Sequence, residues 1–113
     1  MKYEGTWRIT EMETWGDEYL HMEVQASIRI RRDGSGEFQF GLLSGQLDGE
    51  VRETASGERF EFTWDGTDEG EEASGSGWLA MVSKNTLAGK IKLHHGDSST
   101  LVAERALPGK TRD

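Results

Sequence analysis

The chain has 113 residues, with 21 acidic and 13 basic side chains and a formal net charge of -8. That balance repels phosphate backbones and anionic bilayers, so it argues against nucleic acid or a membrane as partner and favours solubility. There is no cysteine, which excludes disulfides and thiolate metal sites, and no apolar run of about 18 residues, which excludes a transmembrane helix.

The length suggests one domain over residues 1–113, with the polar stretch 107–113 as a frayed tail. Met1 to Trp7 lacks an apolar leader, so the expected compartment is cytoplasmic. There are 15 glycines, one proline, four tryptophans and four phenylalanines, a mixture that suits tight turns and large strand residues in an all-β domain.

Gly5 to Glu13 reads as the first strand, with Trp7 and Ile9 on one face. Glu18 to Arg32 reads as one long strand, because Leu20, Met22, Val24, Ala26, Ile28 and Ile30 share one parity. A break is expected at Gln25-Ala26-Ser27, where small side chains gather. Three strands follow, carrying Phe38, Phe40 and Leu42, then Leu47, Gly49 and Val51, then Phe60, Phe62 and Trp64. Their links are Asp33 to Gly36, Ser44-Gly45 and Ala55 to Gly57, each of a kind that makes antiparallel hairpins.

Asp65 to Gly77 is acidic and glycine-rich and reads as a surface loop, with a lid as a second use for it. Trp78 to Val82, Thr86 to His94 and Ser99 to Ala106 complete the set, with turns at Lys84-Asn85 and Gly96 to Ser98. About eight antiparallel strands in a meander close into a barrel, round or flattened; two stacked sheets in a β-sandwich are the alternative.

Gly5-Thr6-Trp7 opens the first strand and Arg105 ends the last. This pattern resembles the lipocalin and calycin arrangement, which implies an eight-stranded meander barrel whose first and last strands meet at a tryptophan and an arginine. The chain is shorter than a typical lipocalin and lacks the usual secretion signal and disulfide. Gly5 to Ile9 and Gly36 to Gly41 also resemble motifs of a set of small uncharacterised bacterial proteins, a resemblance that implies no activity.

Physically, an arginine guanidinium stacked on the Trp7 indole would close one barrel end by a cation–π contact. Trp7, Trp64 and Trp78 are candidate stacking walls for an apolar ligand. Met22 and Met81 are adaptable lining residues beside them, and Arg105 is a polar anchor. A solid core made of the same side chains is the bland alternative, since small barrels fill with side chains.

Catalytic and metal readings find little support. The start of the acidic stretch loosely imitates a calcium loop, but Ser76 stands where its twelfth-position glutamate is needed. His94 and His95, adjacent on a strand, should face opposite ways, and His21 is far from both in sequence. No nucleophile elbow and no phosphate loop with lysine is present. The expectation is a non-enzymatic binding module with a small apolar pocket at one barrel end, holding neither cofactor nor metal. The rival is an interaction domain with a solid core, a homodimer through Trp15 and Tyr19 being one form of it.

Overall fold

The structure is a computed structural model and describes residues 2–106. The expected tail, 107–113, lies outside the described residues. The elements are β1 (Gly5–Met12), α1 (Asp17–Leu20), β2 (Ser27–Ile30), β3 (Ser35–Phe40), β4 (Leu43–Thr54), β5 (Gly57–Asp68), β6 (Glu71–Ser83), β7 (Thr86–Leu93) and β8 (Ser98–Arg105). Each strand pairs antiparallel with the next, and β8 returns to pair with β1 through Trp7 opposite Arg105 and Ile9 opposite Ala103. The eight strands thus form a closed barrel, which leaves no unpaired sheet edge and sets aside the sandwich.

The inner face carries the bulky apolar parity of every strand. Trp7, Ile9, Ile28, Phe38, Phe60 and Leu101 are all buried there. Each such side chain contributes roughly 1.5–3 kcal/mol by leaving water. The rings contact one another: Phe38 meets Trp64 edge-on with centroids 5.2 Å apart, and Phe60 stacks on Phe62 at 6.0 Å.

Rings of this size fit because glycines face them. Gly49 and Gly77 stand on either side of Phe62 in the strand register, and Gly75 stands beside Trp64. A side-chain carbon added at Gly77 would lie 2.6 Å from both the Phe62 ring and the Lys90 carbonyl oxygen. One added at Gly45 would lie 2.9 Å from Trp64. The aromatic ring of one strand therefore occupies the side-chain space its neighbour leaves free.

This packing corrects the reading of Asp65 to Gly77 as a loop or lid. The segment is strand on both sides of a two-residue turn, Glu69-Gly70, whose φ values of 54° and 87° suit a tight hairpin. Of its small inward residues, Gly75 and Gly77 lie under the Trp64 and Phe62 rings, and a carbon added at Gly66 would clash with the Ser44 carbonyl oxygen. Ser44-Gly45 is likewise inside β4 and not a link. The turn lies three residues earlier, at Gly41-Leu42, with Gly41 at φ 58° under the Tyr19 ring.

The run from Glu18 to Arg32 is not one strand. Asp17 and Glu18 open the helical turn α1, where acidic side chains favour the helix N-terminus. Leu20 is buried, and its carbonyl accepts a hydrogen bond from the Gly41 amide at 2.9 Å. Met22 and Val24, although they share the parity of Leu20, are exposed. Only Ser27–Ile30 pairs as a strand, so the break falls just before the small residues where it was expected. A tethered segment that caps the barrel end has overridden the local alternation.

Gly77→Ala is expected to destabilise the protein by about 1–3 kcal/mol, the cost of overpacking. Gly16→Ser, where an added carbon meets nothing within 4 Å, should leave stability unchanged or raise it by up to about 0.5 kcal/mol by capping α1. Guanidinium denaturation of both variants checks the pair.

Candidate functional site

One barrel end is closed by Trp7 and Arg105. β1 and β8 place the two opposite each other, and both lie on the inward parity of their strands. The guanidinium carbon sits 4.2 Å from the centroid of the Trp7 ring. The guanidinium also donates to the carbonyl oxygens of Glu4 at 3.0 Å, Lys2 at 3.1 Å and Lys84 at 3.4 Å. The fully buried Trp7 indole N–H donates to the Tyr3 carbonyl at 3.0 Å. Arg105 is thus a clamp that ties the start of the chain, the β6–β7 turn and the core tryptophan together. Its donors are committed to the protein's own backbone.

Tyr3 is buried beneath this clamp with its ring 5.7 Å from Phe60. Burial lifts its phenol above the ordinary value of 10.0, and the nearby Glu58 carboxylate lifts it further. Tyr19 at the opposite end is lifted too, again chiefly by burial. The folded state therefore keeps protons that the unfolded chain releases, and stability falls as pH rises past the unfolded value.

The six residues singled out from the sequence do not converge. Trp7 and Arg105 are in contact. Trp64 is buried in the middle of the barrel wall against Phe38. Met81 is half-buried against the core near the Trp7 end of β6. Met22 is exposed beyond α1. Trp78 occupies the outward parity of β6, between Glu61 and Lys90 in the register, with the Arg59 guanidinium carbon 3.8 Å over its ring. Met22 and Trp78 therefore do not line the interior as expected, Met22 because the chain leaves the sheet there and Trp78 because β6 starts earlier and fixes its parity.

The opposite end is covered by α1. Trp15 packs on Phe40 with centroids 5.1 Å apart and stacks with Tyr19 at 6.1 Å. The Leu42 amide donates to the Tyr19 hydroxyl at 3.3 Å. The side chains expected to be an exposed Trp15–Tyr19 surface are thus partly buried against the core.

The large concavities open outside the barrel. One, of about 1140 Å³, crosses the outer face of β1 to β6. Its neutral lining is Ser27, Gln39, Ser44, Gln46, Thr67 and Ser74, and its charged lining is Arg29, Glu37, Asp65 and Glu72. Gly45, Gly66 and Phe38 form part of its floor. Val24, from the segment after α1, stands at its rim.

A second groove of about 510 Å³ holds Trp78 among Asp48, Glu50, Glu61, Thr63 and Ser76. A third, of about 390 Å³, bridges the two, sharing Ser74 with the first and Thr63 and Ser76 with the second. Together they make one outward face of hydroxyls, amides and carboxylates, with Trp78 at one end and Trp64, Lys92 and His94 in the bridging groove.

Two smaller expectations are corrected by the geometry. The segment that imitates a calcium loop is a hairpin, so Asp65 and Thr67 lie on the outer face of β5 and Glu69 in its turn. His94 and His95 follow the end of β7, and the positive φ of His95, 63°, brings the two rings to 4.0 Å instead of sending them to opposite faces. Among the described residues no three of His, Asp and Glu gather as metal ligands, and no helix is long and apolar enough to cross a membrane.

Comparison with known proteins finds no family model that matches this chain and no matching curated protein. The closed antiparallel barrel of eight strands is compatible with a lipocalin-like fold.

Arg105→Ala is expected to cost about 2–4 kcal/mol, since it removes a cation–π contact and several hydrogen bonds from a charged donor. Arg105→Lys should recover only part of this, because an ammonium cannot span the same carbonyls in a planar fork; urea denaturation measures both. In alkaline solution stability should fall as pH rises above about 10. That fall should be shallower in Tyr3→Phe, as read from denaturation midpoints across the range.

Proposed function

We propose that the protein is a non-enzymatic binding module that takes a hydroxyl-rich ligand, a saccharide, along the outer face of β2 to β6. The observation that carries this reading is the placement of space: rings occupy the interior, while the widest concavities lie outside and are lined by hydroxyls and amides. Saccharide hydroxyls both donate and accept hydrogen bonds, and Ser, Thr, Gln and carboxylate side chains offer both partners. Trp78 supplies one apolar ring face at the end of the face, where a pyranose would stack.

Binding is favoured over turnover because a nucleophile needs a positioned base beside it. Among the described residues no histidine lines the main groove. An apolar pocket at a barrel end, the expectation from the sequence, has less support, since Arg105 covers Trp7 at one end and α1 packs across the other. The rival, an interaction domain without a ligand, draws on the filled interior and on the exposed Met22 and Val24 side chains.

Titration of labelled protein with neutral oligosaccharides is expected to shift the Gln39, Gln46 and Trp78 side-chain N–H resonances and leave the buried Trp7 indole unmoved. A Gln46→Ala, Asp65→Ala double variant should fold as stably and bind about 10-fold or more weakly. Absence of binding across a broad glycan array would contradict the proposal.

A further inference from the structure

We propose that a cleft beside the Arg105 end of the barrel is an oxyanion site, which takes the carboxylate, sulfate or phosphate of an acidic saccharide. This rests on reading the outer face as a saccharide site and adds the charge of the ligand.

The cleft, of about 580 Å³, is lined by Arg29, Arg31, Arg32 and Arg105, with Glu4 as the carboxylate of its wall. Four guanidinium groups thus gather at one place in a chain whose formal net charge is -8. Their internal neutralisation is incomplete. Glu37 serves two of them, Arg31 at 2.6 Å and Arg29 at 3.9 Å. Arg32 reaches Glu4 at 3.7 Å. Arg105 is held by backbone carbonyls, which accept its hydrogen bonds but carry no countercharge.

Two of the four are available to a ligand. The Arg29 and Arg32 side chains are 59% and 85% exposed, and their ion pairs are longer than hydrogen bonds. Exposed pairs of that length contribute little, so an incoming oxyanion displaces them at small cost. The guanidinium fork matches the oxygen spacing of carboxylate, sulfate and phosphate, and bidentate contacts of this kind are among the stronger hydrogen bonds.

Position links the cleft to the groove. Arg29 and Thr6 line both. A ligand seated along the outer face would therefore bring a charged substituent to Arg29 without leaving its hydroxyl contacts. The acidic groups Glu37, Asp65 and Glu72 in the groove disfavour a uniformly anionic ligand there. The charge is thus confined to the end at Arg29.

The test is titration of the labelled full chain with inorganic phosphate, a neutral oligosaccharide and the same oligosaccharide ending in a single uronic acid. Saturable movement of the Arg29 and Arg32 side-chain resonances by phosphate is expected, with tighter binding of the singly acidic oligosaccharide than of the neutral one. An Arg29→Gln, Arg32→Gln double variant should weaken phosphate binding by about 10-fold or more. Arg8→Gln, which removes the exposed partner of Glu104 on another part of the wall, should not.

No saturable movement with phosphate, or unchanged affinity in the double variant, would overturn the oxyanion site. If phosphate moves Arg29 and Arg32 but neither sugar moves the outer face, the oxyanion site stands and the saccharide reading fails. If the neutral sugar binds as tightly as the singly acidic one, the anionic preference is refuted and the groove reading survives.

Discussion

The structure depends on aromatic rings lying over glycines inside a narrow barrel. Phe38, Phe60, Phe62 and Trp64 are too large for one wall to be built of them alone, and Gly45, Gly49, Gly75 and Gly77 on adjoining strands leave the room they need. Interiors pack to crystal-like density, so an added methyl at such a glycine has nowhere to go. The same arrangement explains why β4, β5 and β6 run 12, 12 and 13 residues, through sequence that carries few apolar side chains of its own. The ring on β5 provides the burial for both neighbours.

The outward residues between the inward glycines are serine, threonine, glutamine and aspartate, so the outer face there is polar. The ends of the barrel are occupied as well. Arg105 clamps Trp7 under three backbone carbonyls at one end, and Trp15 and Tyr19 of the α1 region lie on Phe40 and Gly41 at the other. With interior and both ends occupied by side chains, the open concavities lie on the wall.

Much of this architecture was legible in the sequence where side chains are large. The alternation of Trp7 with Ile9, of Phe38 with Phe40 and of Phe60 with Phe62 and Trp64 located strands, and the Trp7–Arg105 pairing of first and last strand is observed. The glycine-rich half of the Phe62–Gly77 hairpin was not legible. Ala73, Gly75 and Gly77 keep the two-residue period, but they carry no apolar bulk, and their partners are supplied by another strand. Met22 and Val24 failed in the opposite sense: they have bulk and period, yet the tether through Leu20 and Gly41 takes the chain off the sheet. The candidate site was hidden for a related reason. Its members come from six strands at their polar parity, and only the barrel register brings Gln46, Asp65 and Ser74 side by side. Trp78 was noticed as a residue and assigned to the wrong face because the start of β6 was missed.

The most direct measurement of the central claim is native-state hydrogen exchange of the amides from Thr63 to Gly77. If rings over glycines hold this segment as two strands of the barrel, its ladder amides should exchange as slowly as those of β7 and β8, with only the Glu69-Gly70 turn fast. Exchange of the whole segment at the rate of an open acidic loop would contradict the account.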